Sequence, residues 1–426
     1  MRYYSCSSFS WCAIFYLASL LHFQVTNCHR TSGYSHESEI SGENSKWMSS
    51  LPDNVPLSSL SLPGTHESLS RGHGGAIAEC QTLSLESQLR AGIRVLDVRC
   101  RHIEDSFAIH HGMIFLHIMF GDVLQQLEAF LKNNPSETIL MRVKEEYEAV
   151  NVTGTFEETF SHYYNENPTL FWHTDNETGE RPDPTLRSVR GKVVILDNFS
   201  STTKYGLNYG DSGQFIIQDD FKFSTNWDLY DKWMKVKDQV RNADVSRRSG
   251  ENKFFLNYLS GSFGSFPYFV ASGHVTSGTG EHRLSTGLTT LTARDKYPDF
   301  PRLDCILKVC TISFEGTNVL LMQFLQERTD MKFVGIIMAD FPGDGLISTI
   351  ISLNNRKLEA SPSLWTILFI VLSITVFSLT LIFVLIKAFK IRKNRNNLSE
   401  AGISTQFNVN IVTARLNECD MKYQRF

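Results

Sequence analysis

The chain has 426 residues, of which 42% are hydrophobic and 20% charged, and its formal net charge at pH 7 is −4. That length fits one large domain or two small ones. The nearly balanced charge gives no sign of the basic surface that nucleic-acid binding requires, so no nucleic-acid partner is expected.

The first apolar segment lies at the N-terminus. Arg2 precedes an apolar run that extends from Trp11 to Leu21, and polar residues follow at Thr26. A basic start followed by a short apolar run is typical of a secretory signal. We therefore interpret residues 1–28 as a signal peptide, which predicts an extracellular or luminal location for the residues that follow.

Beyond a polar lead, short continuous apolar runs alternate with helical stretches. This pattern is typical of buried parallel strands joined by crossover helices. Eight runs can be counted: Leu57–Leu62, Ile93–Val98, Phe107–Ile109, Thr138–Val143, Val193–Leu196, Phe215–Ile217, Phe254–Leu256 and Phe333–Met338. The count predicts a distorted (β/α)₈ TIM-type barrel, irregular where the connections are long.

Polar side chains follow nearly every one of these runs. They are His66, Arg99, His111, Lys144, Asp219 and Asp340. In a (β/α)₈ barrel the carboxyl ends of the strands line one mouth, so these side chains are expected to converge. Any one of them alone is explained equally well as a solvated strand end, but six of them together favour a functional site.

The residue types at the predicted mouth fit phosphodiester cleavage. Two imidazoles on opposite sides of a pocket can act as general base and general acid. An arginine between them offers a bidentate partner for phosphate, and a carboxylate such as Asp340 can orient a histidine. The sequence has no phosphate-binding glycine loop and no carboxylate cluster that demands Mg²⁺ or Ca²⁺, so we expect neither a cofactor nor a metal.

A second apolar segment lies near the C-terminus. Residues 364–386 carry no charge, and a helix of this length is long enough to cross a bilayer. Lysines and arginines follow from Lys387 onward, which by the positive-inside rule predicts a cytoplasmic tail. The expectation is a single-pass type I membrane protein with an extracellular or luminal ectodomain.

The chain is therefore predicted to have six parts. They are a signal peptide (1–28), a polar lead (29–46), a catalytic barrel (47–355), a juxtamembrane linker (356–363), a transmembrane helix (364–386) and a cytoplasmic tail (387–426).

The cysteines and sequons agree with an oxidising compartment. Four ectodomain cysteines allow the bridges Cys80–Cys100 and Cys305–Cys310, although sequence does not determine the connectivity. Three sequons of the predicted ectodomain, at Asn151, Asn176 and Asn198, predict a glycoprotein.

Several motifs of the ectodomain resemble those of secreted bacterial-type phosphatidylinositol-specific phospholipase C, a family defined by the PI-PLC X domain. The similar stretches occur in order between about Trp47 and Gly343. They include Leu62-Pro-Gly-Thr-His, Gly92-Ile-Arg-Val-Leu-Asp-Val-Arg, His110-His-Gly, Asn134-Pro-Ser-Glu-Thr-Ile, Lys144-Glu-Glu-Tyr, Arg190-Gly-Lys-Val-Val and Val334-Gly to Asp340. The resemblance implies a distorted TIM barrel, as the strand pattern does.

The resemblance also implies catalytic roles. His66 would be the general base that takes the proton of the inositol 2-hydroxyl, and Asp340 would hold it. Arg99 would bind the phosphate where metal-dependent relatives keep calcium, and His111 would be the general acid for the diacylglycerol oxygen. The implied products are diacylglycerol and inositol 1,2-cyclic phosphate, formed without a metal from phosphatidylinositol or a GPI-type membrane lipid.

The implied inositol-binding residues are Lys144, Asn198, Asp219 and Phe221. Two of these differ from the family pattern, which has an arginine at Asn198 and a tyrosine at Phe221. A third departure is Glu67, where the family usually has the aspartate that supports the acid histidine. These departures leave an alternative open, namely a catalytically weak or inactive barrel that binds inositol lipid or glycan at a membrane surface.

Overall fold

The computed structural model describes residues 33–39, 41–174, 183–356 and 372–393. The predicted signal peptide, most of the linker and tail, and the Asn176 sequon lie outside the described residues. The chain divides into two compact units, Met1–Lys357 and Leu358–Phe426.

The first unit contains fifteen described strands and nine described helices. The strands are β1 (Leu62–Thr65), β2 (Val95–Ile103), β3 (Ser106–His111), β4 (Ile114–Met119), β5 (Ile139–Glu145), β6 (Val193–Asn198), β7 (Leu207–Asn208), β8 (Phe215–Gln218), β9 (Lys222–Phe223), β10 (Phe254–Tyr258), β11 (Ser262–Phe263), β12 (Ser285–Thr290), β13 (Arg302–Ile306), β14 (Val309–Ser313) and β15 (Ile336–Ala339). The helices are α1 (Leu85–Ala91), α2 (Phe120–Asn133), α3 (Phe156–Glu166), α4 (Leu186–Val189), α5 (Leu229–Arg248), α6 (Pro267–Ser272), α7 (Ala293–Lys296), α8 (Thr317–Glu327) and α9 (Asp344–Leu353).

Eight strands form a parallel sheet in the order β7-β6-β5-β2-β1-β15-β10-β8. The predicted α/β fold, a distorted TIM-type barrel, is confirmed. Among the described strands no ladder joins β7 to β8, so the barrel is open between them. A separate three-stranded antiparallel sheet, β12-β14-β13, is inserted between α6 and α8.

Two predicted strands differ from the structure. Leu57–Ser59 is a 3₁₀ turn, and β1 begins at Leu62, so that Pro63 and Gly64 lie inside the strand rather than ending it. The run Phe107–Ile109 belongs to β3, which pairs antiparallel with β2 in a hairpin and is not a barrel strand. The eighth barrel strand is β7, whose two residues are too few to produce a recognisable apolar run.

The barrel interior is apolar at its base and polar at its mouth. Strand alternation points every second residue inward, and the inward residues at the base, such as Leu62, Leu140 and Ile336, form one buried cluster. Two further apolar clusters fill the space outside the sheet, where α2 and α8 pack. Polar side chains therefore replace apolar ones only at the carboxyl ends of the strands.

The cysteines only partly follow the expectation. Cys305 and Cys310 form a disulfide between the paired strands β13 and β14. Cys80 and Cys100 are both buried and unbridged, so the proposed Cys80–Cys100 pair is wrong.

The second unit contains one described helix, α10 (Leu372–Lys393), which has 22 residues and an 18-residue stretch with a mean hydropathy of 2.2. By length and composition it is able to cross a membrane. The first eight residues of the predicted span, 364–371, lie outside the described residues, and the helix extends beyond Ile386 through the basic cluster. The helix is compatible with membrane anchoring, and its orientation stays a prediction.

Candidate active site

The register of the sheet aligns two rows of polar side chains across neighbouring strands. Arg99 of β2 pairs with Lys144 of β5, and Lys144 pairs with Asn198 of β6. One level deeper, Asp97 pairs with Arg142. Because residues in register on parallel strands point to the same side, both rows face the barrel interior. The expected convergence at the mouth is a direct result of this register.

Asp340, His66 and Arg99 form a continuous chain of polar contacts. His66 follows β1 and Asp340 follows β15, the strand beside it. Nδ1 of His66 lies 2.9 Å from Oδ1 of Asp340, and Nε2 of His66 lies 3.0 Å from Nη2 of Arg99. An arginine donates hydrogen bonds and cannot accept them, so Nε2 is the acceptor and the ring proton is on Nδ1, facing Asp340.

The surroundings of His66 favour its protonated form. Burial lowers the pKa of His66, but the charge of Asp340 and its hydrogen bond raise it, and the net pKa lies above its usual value. Only 19% of the His66 side chain and 1% of the Asp340 side chain are exposed. Because water screens this pair so little, the carboxylate raises the pKa of the imidazole more than it would at the protein surface.

Arg99 lies at the centre of the site and contacts three carboxylates. Its Nη2 donates to Asp97 at 3.1 Å, while Nη1 pairs with Glu67 and lies 3.6 Å from Glu146. Burial opposes the charge of Arg99, but these carboxylates raise its pKa well above the usual value. Burial likewise raises the pKa of Asp97, yet Arg99 and Arg142 outweigh it, and the pKa of Asp97 is lowered.

His111 ends β3 and approaches the same centre from the hairpin side. Its Nδ1 lies 2.8 Å from the carbonyl oxygen of Ala78 and therefore carries a proton, which leaves Nε2 directed at the site. Nε2 lies 3.8 Å from Oε1 of Glu67, a distance for an ion pair rather than a hydrogen bond. Glu67 contacts Arg99 more closely than His111, and burial raises the pKa of Glu67.

Lys144 joins this cluster through a shared carboxylate. Its Nζ lies 2.9 Å from Oε2 of Glu146, the same oxygen that faces Arg99, and about a third of the Lys144 side chain is exposed. Lys144 is therefore accessible from the mouth, beside Arg99.

Asn198 contacts an arginine that the sequence analysis missed. Arg142 donates through Nε to Oδ1 of Asn198 at 2.9 Å and through Nη1 to Asp97 at 3.1 Å. Its guanidinium also lies 4.4 Å from the ring centroid of Tyr209. The sequence does contain a signal for Arg142, because it is a charged residue inside an apolar run. It lies two residues before Lys144 and therefore on the same face of the strand. A guanidinium is thus present beside Asn198, supplied by the neighbouring strand.

Asp219 and Phe221 make no described contact with the other predicted site residues. Asp219 follows β8 and is exposed, and none of the described contacts joins it to the Asp340–His66–Arg99 chain. Phe221 is 37% exposed, and its ring centroid lies 6.0 Å from that of Phe263. Their roles in inositol binding stay predictions.

A cavity in the described part of the chain lies elsewhere. It has a volume of about 670 Å³, lies between the β12–β14 insertion and α8, and contains none of the predicted site residues. We place the site at the barrel mouth because the polar contacts converge there. Among the described residues, His66, Cys80 and Asp340 are the group whose ligand atoms are close enough to hold a metal ion.

The sequence matches one protein family model. Residues 55–198 match the model described as phosphatidylinositol-specific phospholipase C, X domain. The 1-phosphatidylinositol phosphodiesterase of Listeria monocytogenes is 35% identical over 230 residues, which are 50% of this chain and 68% of the relative. The protein of the same name from Staphylococcus aureus (strain Newman) is 31% identical over 263 residues, covering 54% of this chain and 80% of the relative.

Solved structures agree with the sequence comparison. The phosphatidylinositol-specific phospholipase C from Listeria monocytogenes superposes with a TM-score of 0.53 at 28% identity, covering 73% of this chain and 98% of that one. A variant of the Staphylococcus aureus enzyme superposes with a TM-score of 0.54 at 23% identity, and the superposition covers 74% of this chain and 98% of that one. An identity this low shows that the two chains share a fold and nothing more.

Proposed function

The chain belongs to the phosphatidylinositol-specific phospholipase C X-domain family, and we propose that it cleaves the phosphodiester of phosphatidylinositol or of a GPI-type lipid. The inositol 2-hydroxyl attacks phosphorus, which yields diacylglycerol and inositol 1,2-cyclic phosphate. The named relatives are 1-phosphatidylinositol phosphodiesterases, which supports this substrate class. The observation that carries the proposal is the series of polar contacts from Asp340 through His66 to Arg99.

In this proposal His66 is the general base. Its Nδ1–H is directed at Asp340, so the Nε2 lone pair is available for the hydroxyl proton. The hydroxyl takes the place of the Arg99 hydrogen bond at Nε2 when substrate enters. Asp340 stabilises the imidazolium that results, because it is a buried anion in direct contact with the ring.

His111 is the general acid, and Arg99 stabilises the phosphate. The Ala78 carbonyl fixes the orientation of His111, and Oε1 of Glu67 lies 3.8 Å from its Nε2. A proton on Nε2 is then delivered to the diacylglycerol oxygen as the phosphorus–oxygen bond breaks. Arg99 supplies the charge-assisted hydrogen bonds that the phosphate needs in its transition state.

Lys144, Asp219 and Phe221 contact the inositol ring in this proposal, with Asn198 and Arg142 replacing the arginine of the family pattern. Lys144 offers hydrogen bonds to hydroxyls, and Phe221 offers an apolar ring face. The substrate reaches the ectodomain from a membrane, and the apolar helix α10 anchors the chain in a membrane with its tail in the cytoplasm.

One observation favours a second candidate, a weak enzyme that mainly binds inositol lipid or glycan. The Arg99 guanidinium already contacts Asp97, Glu67 and Glu146, so a phosphate competes with these carboxylates for it. The double variant Glu67→Asp with Asn198→Arg separates the candidates. A gain in turnover of more than about tenfold, or about 1.4 kcal/mol, supports the weak enzyme, whereas an unchanged or lower turnover supports the first proposal.

The direct experiment measures release of water-soluble inositol phosphate from phosphatidylinositol vesicles by the full chain in excess chelator. A parallel arm measures release of a GPI-anchored reporter. We expect activity that His66→Ala abolishes and that His162→Ala, a control at an exposed histidine on α3, leaves intact. Absence of release in both arms, or equal release by the His66→Ala chain, contradicts the proposal.

A further inference from the structure

A buried cysteine lies beside the catalytic pair, and the proposed reaction does not use it. The potential ligand atoms of His66, Cys80 and Asp340 all lie within 4.8 Å of one another. Cys80 is 1% exposed, and its thiol makes only a long contact of 3.6 Å to the carbonyl oxygen of Ala78. Since it belongs to the loop before α1, three separate segments contribute to this group.

Backbone contacts hold these three segments together. The amide of Phe341 donates to the carbonyl oxygen of Cys80 at 3.0 Å, which joins the cysteine loop to the residue after Asp340. The Gln81 side chain donates to the carbonyl oxygens of His66 at 2.7 Å and of Ala339 at 2.9 Å. The cluster is therefore organised by the fold and does not depend on the rotamers of exposed side chains.

Asp340 supplies a second, independent observation. Its Oδ1 contacts His66, but Oδ2 is buried and has no hydrogen-bond partner among the described residues. Leaving a buried carboxylate oxygen unpaired is energetically unfavourable, because the desolvation of the oxygen is not compensated. Such an atom beside a thiol and an imidazole indicates that this carboxylate can accept a further ligand.

The donor set selects the class of ion. A thiolate, an imidazole and a carboxylate suit Zn²⁺, whereas Ca²⁺ and Mg²⁺ require mostly oxygen ligands. Zinc bonds of about 2.0–2.3 Å place tetrahedral ligands about 3.3–3.7 Å apart, so the widest separation here has to close by about 1 Å. The Oδ1–Nδ1 pair is already closer than that.

We propose that His66, Cys80 and Asp340 form a Zn²⁺ site that inhibits the reaction proposed above. Nδ1 of His66 is the ligand, because Nε2 faces the Arg99 cation, which repels a second cation. Binding at Nδ1 shifts the ring proton to Nε2, and the thiol proton of Cys80 leaves to solvent. The thiolate and carboxylate together neutralise the ion.

Inhibition follows from the position of the ring proton. The general base needs an unprotonated Nε2, and a zinc-bound His66 carries its proton there. The ion also takes Asp340 away from the imidazole it would stabilise. This inference rests on the proposed function for its inhibitory effect, while metal binding itself is independent of catalysis.

The binding experiment uses Co²⁺ as a coloured substitute for Zn²⁺ on the full chain in detergent micelles. We expect a thiolate-to-cobalt charge-transfer band that Zn²⁺ displaces, that is lost in Cys80→Ser and Cys80→Ala, and that remains in Cys100→Ser. Cys100 is the matched control, because it is also buried and unbridged but lies outside the cluster. A band that survives both Cys80 substitutions overturns the proposal.

A measurement without substitutions covers the case in which the variants fold poorly. X-ray absorption at the zinc edge of the unmutated chain with one equivalent of Zn²⁺ is expected to show one sulfur ligand at about 2.3 Å. A shell with nitrogen and oxygen ligands alone overturns the site.

The activity experiment tests inhibition with chelator-buffered Zn²⁺ on phosphatidylinositol vesicles. Zn²⁺ is expected to inhibit the unmutated and Cys100→Ser chains, and Cys80→Ser raises the inhibition constant more than about tenfold with unchanged activity in chelator. Equal inhibition of both variants overturns the inhibitory role. If no chain cleaves the lipid, the function proposal fails, and the cobalt and X-ray measurements alone decide the metal site.

Discussion

Replacing Asp340 with asparagine removes the charge that holds His66 while keeping the shape of the side chain. Burial lowers the pKa of His66 and the Asp340 carboxylate raises it, with the increase prevailing in the folded protein. His66 has to be neutral to accept a proton, so activity rises with pH through this pKa. Without the carboxylate, the largest influence that raises this pKa is gone, and the acid limb of the pH profile moves to lower pH.

The contact geometry bounds the size of this effect. Nδ1 and Oδ1 are 2.9 Å apart, and the centres of the two delocalised charges are somewhat further from each other. Unit charges about 4 Å apart at an effective dielectric constant of about 20 interact by about 4 kcal/mol, which is an upper bound on what the carboxylate contributes to protonation of His66. We therefore expect a displacement of the acid limb that a pH–rate profile resolves.

The same substitution also lowers the rate at every pH. An asparagine no longer selects the tautomer with the proton on Nδ1, so kcat is expected to fall by about 10²–10⁴. The assay is the pH dependence of kcat/KM on a soluble short-chain phosphatidylinositol in chelator. Asp344→Asn is the control, because this carboxylate binds Ser41 and Gly42 instead of His66. An acid limb that stays in place in Asp340→Asn, or moves equally in the control, refutes the reasoning.

Three further predictions concern binding and stability. Lys144→Met removes an accessible ammonium at the mouth, so we expect KM for phosphatidylinositol to rise about tenfold with kcat nearly unchanged in initial-rate assays; a fall in kcat alone would contradict this. Glu137→Gln leaves the buried Arg94 guanidinium, which Glu137 binds at 2.7 Å, without a counter-charge. The expected loss is about 3–5 kcal/mol in the free energy of unfolding, measured by denaturant titration, and a loss below about 1 kcal/mol would show that the pair is not structural. Gly335→Ala is destabilising because Gly335 has φ +69° and an added Cβ would lie 2.5 Å from a main-chain oxygen of β10. Gly210→Ala, with φ +89° and open space, controls for backbone strain alone and should lower the melting temperature less.

Much of the barrel was predictable because its strands are continuous apolar runs. Burial on both faces leaves a strong signal in β5 and β6, whose runs match the structure closely. The prediction failed where the composition of a strand does not reflect its position in the sheet. The hairpin strand β3 is as apolar as a barrel strand because it packs on α2 and α3. Strand β7 has too few residues to be recognised in the sequence.

The candidate site was predictable to the extent that strand ends converge in this fold. His66, Arg99, His111 and Asp340 were identified by position, and the structure brings them together. Arg142 was missed because its charge is compensated by Asp97 and Asn198 on neighbouring strands, and only the register reveals those partners.

Of the two cysteine bridges that spacing allowed, the structure contains Cys305–Cys310 and lacks the other. Spacing allowed a bridge between Cys80 and Cys100, but Cys100 packs in the apolar core while Cys80 lies beside Asp340. Whether two thiols meet depends on the three-dimensional path of the chain, which spacing does not determine.

The central claim is an acid–base mechanism in which the inositol hydroxyl attacks phosphorus with His66 as base. Phosphorus NMR of the reaction of the full chain with phosphatidylinositol in excess chelator tests it most directly. The account predicts that inositol 1,2-cyclic phosphate is the first soluble product and that His66→Ala does not form it. Release of acyclic inositol phosphate as the first product, or cyclic product formed at an equal rate by His66→Ala, would contradict the account.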